Sequence, residues 1–501
     1  MKINMWCTGM WTGFCVVLLA CSSARAEEKV LFDFENEADA KAWANVDIYA
    51  LREAETKAGI AAVAKAASNP ATVPVYRPQT PPPAAEPEVK LHLTSDGATS
   101  GKQAMKLTFA GGRMPTISTT SPLDDWRGYK GFAADVTAGR TCIVVFRAMA
   151  KTSKYGVSYN DGVSRWEFAA RLEAGKNHVI APRPEYAATL WNGVHTVQIY
   201  MYNPREGETI TVDNICLLTE KPKATSPFND ALPVPAGKYK ALGTDLEVKD
   251  VNELAEKLKG QWIKPEDKTV EQVEAGIQAD YEKIKKDHPK AVLVMLRDGQ
   301  EGYDLANPDK VFAGWEDAGT PSHLPTSLTL ACFANAGKNE EIETCFRNRP
   351  GFLRVDLSSI PRNSNVLAAR LVVARGLDMG KNWETKPTMF VAEPCNRPWK
   401  EHEINVFEYA HDRFWKEYAG ATWGEDGDCS AVFLAHGPSG GKTCSWDFTQ
   451  AVKYWLDGQH ANEGFILYGS PNYVDYLHIC TRENKVVKNR PGLAVIYEPA
   501  N

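Results

Sequence analysis

The chain has 501 residues, 24% of them charged, with 57 Lys plus Arg against 63 Asp plus Glu. That length allows two to four domains, each large enough to bury a core. The mixed, slightly acidic balance, a formal charge of −6, lacks the basic excess that a phosphate backbone attracts and argues against nucleic acid as a partner.

Residues 1–26 read as a cleavable export signal: Lys2 opens them, residues 13–20 are apolar, and Ala24-Arg25-Ala26 is an A-x-A exit. Removing Lys2 and Arg25 with the signal takes the formal charge to −8. The stretch is too short to be kept as a membrane span, and no later run approaches the roughly 20 apolar residues that a transmembrane helix needs. Leu18-Leu19-Ala20-Cys21 offers a second reading, a lipoprotein signal with lipid on Cys21. Either way the expected place is outside the cytoplasm: secreted, periplasmic or on the cell surface.

Residues 27–220 are expected to form a jelly-roll-like sandwich. Apolar and polar residues alternate in short runs at 30–34, 104–109, 131–136, 142–148, 194–201 and 209–218, separated by Gly, Asn and Pro turns. Within them, 52–67 reads as a short Ala-rich helical piece. Residues 68–88 (SNPATVPVYRPQTPPPAAEPE) read as a disordered excursion, because a Pro-rich stretch cannot pair in a sheet.

Residues 221–290 change texture, Pro-rich as far as Pro235 and then helical at 250–259 and 269–287. In the second pattern Val270, Val273, Ile277 and Ile284 recur at helical spacing among Glu and Lys, so its apolar stripe should pack on a neighbouring domain. Short strands return over 291–501, with one clear helix at 449–456, capped by Asp447 or Thr449 and stopped at Gly458. The expected fold class is all-β: two β-sandwich domains joined by a partly helical linker.

Of the 11 cysteines, Cys7, Cys15 and Cys21 fall in the signal region. Cys142 and Cys216 belong to the first sandwich, and Cys332, Cys345, Cys395, Cys429, Cys444 and Cys480 to the second. Even numbers in an exported chain are what disulfides would give, without fixing their pairing. Small buried thiols on strands are the alternative, above all for Cys142 and Cys216. No C-x-x-C occurs, so zinc ribbons and thioredoxin-like sites lack their signature.

The second β region carries seven blocks in a recognisable order: 292–303 (VLVMLRDGQEGY); 352–361 (FLRVDLSSIP); 366–373; 418–423 (YAGATW); 446–449 (WDFT) leading to 454–458 (YWLDG); 462–467 (NEGFIL); and 481–483 (TRE) followed by 490–497 (RPGLAVIY). The region resembles the DNRLRE domain, or disaggregatase-related repeat, classed as carbohydrate-binding module family 96; 352–361 resembles that family's LLRFDLSSIP. The resemblance implies a β-sandwich that binds polysaccharide, alginate for some members. Residues 291–501 hold 21 Lys plus Arg against 27 Asp plus Glu, so a uronate chain would need a local basic patch. Arg482, Lys485, Lys488 and Arg490 are the candidates, with a solvated charged loop as the alternative.

The first β region resembles a galactose-binding-type jelly roll of carbohydrate-binding modules. Its carriers are Leu31-Phe32-Asp33-Phe34-Glu35 with Trp43, residues 166–179 through Gly175-Lys176-Asn177, and the exit at 210–217 (ITVDNICL). In similar modules a structural Ca²⁺ sits between first and last strands, which would make Asp33, Glu35 and Asp213 its ligands here, with solvent-facing carboxylates as the alternative.

Sugar recognition needs flat apolar faces beside polar groups, so loop aromatics near Arg, Asn or Asp are the residues to seek. Trp126, Tyr155, Tyr159, Arg165, Trp166 and Trp191 qualify, with Asn160 and Asp161 close by. A single aromatic is more often core than platform; the dense run from Tyr155 to Trp166 is the exception. In the second region Trp383, Trp399, Trp415 and Trp423 are candidates, although Trp423 and Trp455 occupy core positions of the family resembled.

Catalytic signatures are poor. Gly437-Pro438-Ser439-Gly440-Gly441 fits G-x-S-x-G, but a strand-like run follows where a nucleophile elbow needs a helix. The same loop fails as a phosphate loop because His436 stands where glycine is required. H-E-x-x-H is absent, and Glu425-Asp426-Gly427-Asp428 lacks EF-hand spacing. A carboxylate pair for glycoside hydrolysis is defined by separation in space, which sequence does not report. The expected function is an exported, non-catalytic polysaccharide-binding protein whose two modules raise avidity. The alternatives are a structural or adhesive surface protein, and a polysaccharide lyase or glycoside hydrolase.

Overall fold

The computed structural model describes residues 28–46, 86–112, 114–150, 165–183, 190–202, 204–225, 238–249, 251–258, 267–319, 341–344, 351–376, 388–404, 407–416, 428–430, 432–439, 441–469 and 477–500. Residues 1–26, expected as an export signal, with Cys21, the 52–67 piece, residues 68–85 of the Pro-rich stretch, Tyr155, Tyr159, Cys332, Cys345, Trp383 and Trp423 lie outside them.

The first sandwich is built from β1 (Glu28–Phe32), β2 (Ala44–Val46), β3 (Lys90–Thr94), β4 (Ala104–Ala110), β5 (Thr116–Thr120), β6 (Gly131–Ala138), β7 (Cys142–Ala150), β8 (Arg165–Leu172), β9 (Gly175–Pro182), β10 (Val194–Met201) and β11 (Glu206–Leu218). A short helix, α1 (Glu37–Lys41), starts where the Asn36 side chain accepts from the Asp39 N–H at 3.1 Å. One sheet runs β3-β4-β11-β6-β9 with β1 also on β11; the other runs β2-β5-β10-β7-β8. All pairings within them are antiparallel.

The period-two alternation sets which side chains meet between the sheets. Phe132, Ala134, Val136 and Ala138 of β6 face Val144, Phe146 and Ala148 of β7 in one core, while Ala133 turns outward to Cys216 and Leu218. Trp126, Trp166 and Trp191 cluster in that core, Trp126–Trp191 at 5.4 Å and Trp166–Trp191 at 5.9 Å, both edge to face. The opposite face of β7 carries Arg147, which lies across from Glu167 on β8 and Gln198 on β10. Arg147 pairs with Glu167 and donates to Gln198 Oε1 at 2.8 Å and to Tyr200 Oη at 3.3 Å.

Within residues 221–290, expected as a linker, the described segments 238–249, 251–258 and 267–287 pack on strands of the second β region. Its strands begin with β12 (Tyr239–Ala241) and β13 (Glu247–Val248), followed by the helices α2 (Val251–Leu258) and α3 (Val270–Asp287). β12 pairs in parallel with a strand nearly 200 positions later, Lys240 opposite Val432 and Ala241 opposite Phe433. The helix α3 opens with a capping box between Thr269 and Gln272 and packs Val270 and Ile277 on Val372, Ala374, Cys480 and Ala494. Its apolar stripe thus covers the outer face of a sheet, the role the spacing of those residues implied.

The remaining strands are β14 (Val292–Leu296), β15 (Trp315–Gly319), β16 (Glu341–Thr344), β17 (Gly351–Val355), β18 (Asn365–Ala374), β19 (Thr388–Pro394), β20 (Glu408–Ala410) and β21 (Arg413–Phe414). Then come β22 (Val432–Phe433), β23 (Ala435–Ser439), β24 (Thr443–Asp447), the helix α4 (Thr449–Leu456), β25 (Phe465–Gly469), β26 (Leu477–Cys480) and β27 (Gly492–Glu498). The main sheets are β14-β27-β18-β24 and β15-β17-β25-β19-β23, with Leu296, Trp315, Leu353, Leu371, Phe465 and Val495 between them. At α4, Asp447 Oδ1 accepts the Thr449 N–H at 2.9 Å, and Gly458 follows the helix at φ +69°. Gly437, Pro438 and Ser439 are the last residues of β23, and the next described element is β24, a strand where a nucleophile elbow needs a helix.

The two domains touch. The ring of Phe407 lies 4.6 Å from that of Tyr202, on the same face of β10 as Tyr200, and Arg171 stacks over Phe414 at 5.3 Å. Arg140 meets Asp412 at 3.1 Å, and Arg205 pairs with the same carboxylate. Asp412 sits at φ +60°, a left-handed turn position that aspartate tolerates better than most residues.

The six described cysteines are all buried. Cys142 belongs to β7 and Cys216 to β11, in different sheets, and burial pushes the Cys142 thiol up to about 12. Among the described residues no helix is long and apolar enough to cross a membrane.

Candidate functional site

An open cleft of about 910 Å³ lies at one end of the second sandwich. One wall is the segment leaving β17, Asp356 to Asn363; the other is the end of α4 and the turn after it, Trp455 to Asn462. Gly314 and Glu316 close the side.

Local chemistry shapes each wall. Asp356 accepts the Ser358 N–H and Oγ–H, both at 2.8 Å, turning the chain sharply after β17. Asn363, at φ +67°, turns it again. The walls are stitched together by Asn462, whose Nδ2 donates to the Val355 carbonyl at 2.8 Å and whose Oδ1 accepts the Gly464 N–H at 3.2 Å. Gly464 is required there, since a Cβ at φ +77° would stand 2.3 Å from the Leu353 carbonyl oxygen.

Several polar groups are already committed. Arg354 pairs with Glu316 and, at 3.2 Å, with Glu463; it donates to the Trp399 carbonyl at 3.1 Å and lies over the Trp399 ring. His460 meets Asn396 Oδ1 at 2.8 Å and Ser430 Oγ at 3.1 Å, and stacks on Tyr454 with ring centroids 5.5 Å apart. Asp356, Ser358, Arg362, Asn363 and Asp457 are exposed around this frame, above an apolar base that includes Ile360, Trp455 and Leu456. The arrangement offers a hydroxyl-rich ligand many donors and acceptors at fixed spacing, with apolar surface beneath.

None of the residues lining the cleft was among the sequence candidates. Trp126, Trp166 and Trp191 are at most 1% exposed and offer no face to a ligand, because the inter-sheet core takes their ring area. Arg165 opens β8 opposite Met149; Tyr155 and Tyr159 lie outside the described residues. Trp399 and Trp415 are core residues of the second domain.

The expected basic patch is also largely committed to the fold. Arg482 faces Asp298, Glu401 and Glu483, while Arg490 donates to the carbonyls of Asn484 at 2.8 Å and Asp298 at 3.2 Å. Lys488 lies 3.7 Å from Glu271, and Lys485 is exposed. The expected calcium ligands each hold loop backbone. Asp213 accepts the N–H groups of Thr99 at 2.7 Å and Ser100 at 2.8 Å; Glu35 accepts those of Lys102 and Gln103 at 2.7 and 2.8 Å; Asp33 accepts that of Glu35 at 3.1 Å.

A signal for the cleft did exist in the sequence. Three of the seven blocks, 352–361, 454–458 and 462–467, converge on it, each supplying lining residues.

No protein-family model and no curated protein matches the chain. Among solved structures, a family 11 carbohydrate-binding module from Clostridium thermocellum, in complex with a β-1,3-1,4-mixed-linked tetrasaccharide, is 15% identical. That match covers 40% of this chain and 99% of the module at a TM-score of 0.24. A family 27 module from Caldicellulosiruptor saccharolyticus in complex with mannohexaose is also 15% identical, over 26% of this chain and 84% of its own, with a TM-score of 0.19. An exo-β-agarase is 8% identical, over 39% of this chain and 25% of its own, with a TM-score of 0.26. Each likeness is partial, and what those proteins bind or cleave belongs to them.

Proposed function

We propose that this chain is an exported, non-catalytic glycan-binding protein, with the cleft of the second sandwich as its polysaccharide site. The observation that carries this reading is the cleft itself: exposed Asp356, Ser358, Arg362, Asn363 and Asp457 ring an apolar base in a groove open to solvent. A pyranose presents the complementary pattern, hydroxyls at its rim and C–H groups on its faces. The blocks resembling the DNRLRE domain meet at the same place, which supports the reading from the sequence side.

The charge of the cleft bears on the ligand. Glu316, Asp356 and Asp457 stand against Arg354, which Glu316 and Glu463 already offset, and Arg362. A neutral polymer fits this balance better than alginate, whose repeated carboxylates would meet two exposed acids, Asp356 and Asp457. Residues 1–26 supply the export element, with release after Ala26 and a lipid on Cys21 as its two outcomes.

Affinity electrophoresis against mixed-linked β-glucan, galactan, mannan, xylan and alginate tests the proposal. Retardation by at least one polymer, clearly weakened by Arg362→Ala, is the expected result. No retardation by any polymer favours a structural or adhesive role. Release of reducing ends or of unsaturated uronate would replace the non-catalytic reading with a hydrolase or a lyase.

A further inference from the structure

Three acidic side chains that do not line the cleft come together from distant parts of the second domain. Asp317 lies on β15, Glu401 in the loop after β19, and Glu483 in the loop after β26. One oxygen from each lies within 4.8 Å of the other two. Backbone bonds lock the three segments: Asp317 Oδ2 accepts the Arg482 N–H at 2.7 Å, and the Asp317 N–H donates to Glu401 Oε1 at 3.0 Å.

Two oxygens are then left over. Asp317, only 1% exposed, has its Oδ1 sealed from solvent without a hydrogen-bond partner, and Glu483 Oε2 is in the same condition. Buried carboxylate oxygens are seldom left so, because the desolvation is uncompensated. Arg482 is the guanidinium at hand. Its Nη1 lies 3.3 Å from Glu401, and its Nε lies 3.2 Å from Glu483 and 3.5 Å from Asp298, so its one charge is shared among three acids while Asp317 receives only its backbone N–H. His402 approaches Glu401 at 3.6 Å from an exposed position.

We propose that Asp317, Glu401 and Glu483 form a binding site for a divalent metal ion, calcium in first place. The donor set is all oxygen, which favours a hard cation over zinc or copper. Calcium takes oxygen ligands at about 2.3–2.6 Å, so ligand pairs around it stand up to roughly 5 Å apart, and water completes its flexible shell. Magnesium would require a tighter and more regular octahedron. A bound ion supplies the missing charge, takes up the two orphan oxygens and ties β15 to two loops. The site stands on its own observations and is independent of the glycan reading.

Calorimetric titration of the chelator-stripped, purified chain with calcium chloride, alongside thermal unfolding, provides the test. One calcium per chain at this site and a Tm rise of roughly 5 °C at saturating calcium are expected. Glu483→Gln, at a half-buried position, should keep the circular dichroism spectrum and lose that response; Asp317→Asn should lose it as well. Absence of any calcium-dependent heat and Tm shift in the unaltered chain overturns the proposal. So does a full response retained by Glu483→Gln, which would place the ion elsewhere, for example near Asp213. An equal response to magnesium chloride would overturn the preference for calcium.

Discussion

The two sandwiches differ in how they treat buried charge. In the first, Arg147 finds Glu167, Gln198 and Tyr200 on adjacent strands, and Asp213 is taken up by the N–H groups of Thr99 and Ser100. Burial by itself would weaken the Arg147 charge, but Glu167 and the two tyrosines Tyr200 and Tyr202 outweigh it and push its pKa up. In the second, Asp317 and Glu483 keep oxygens without partners, and a ring of polar side chains stands open to solvent. A satisfied network specifies and rigidifies a fold. Unsatisfied or exposed groups at fixed positions point to something that binds them. Both proposed binding sites accordingly lie in the second sandwich.

The comparison breaks most visibly if the Arg147 network proves dispensable. Arg147→Ala should cost about 3–5 kcal/mol, because it strands the buried Glu167 carboxylate, and should show as a loss of denaturant midpoint in the first sandwich. A cost under about 1 kcal/mol would mean that the network is not what holds that sheet.

The second domain should respond to pH in the opposite way from an ordinary salt-bridged protein. Asp317, Glu401 and Glu483 hold raised pKa values, burial being the largest cause in each. Without calcium the folded chain keeps protons that the unfolded chain has released. Their stabilising contribution is therefore complete below about pH 4 and is lost as pH rises through the raised values. Denaturation midpoints measured between acid and neutral pH should fall with pH in chelator and flatten when calcium is added.

In the cleft the expected effect falls on binding rather than stability. Arg362→Ala removes an exposed donor and should weaken glycan affinity by about tenfold, roughly 1.4 kcal/mol, while shifting stability by less than about 0.5 kcal/mol. The smallest effect belongs to the contact between domains. Asp412→Asn keeps a residue suited to φ +60° and removes the charge shared by Arg140 and Arg205. A surface pair of this kind contributes about 0–1 kcal/mol, visible as a slight separation of the two domains' unfolding transitions in calorimetry. A large change would mark the domains as one cooperative unit.

Much of the architecture was legible in the sequence. The runs at 142–148 and 194–201 became Cys142–Ala150 and Val194–Met201, and the helix at 449–456 fell where Asp447 and Gly458 bracket it. Alternation and turn residues act over a few positions, so they survive reading along the chain. Residues 238–249 read as linker along the sequence because β12 finds its partner, β22, nearly 200 positions later. The tryptophans were misread for a similar reason: proximity to a loop in sequence does not tell whether a ring points between two sheets.

The same division holds for function. By itself the sequence determined two β-rich regions, the amphipathic stripe of α3 and the blocks at 352–361, 454–458 and 462–467, since each depends on local pattern. Only the tertiary structure decided that those three blocks enclose one cleft, that Trp126, Trp166 and Trp191 are core, and that Asp317, Glu401 and Glu483 converge. Convergence of residues 84 and 166 positions away from Asp317 is set by strand pairing and sheet packing. Those are long-range interactions, and no window of sequence contains them.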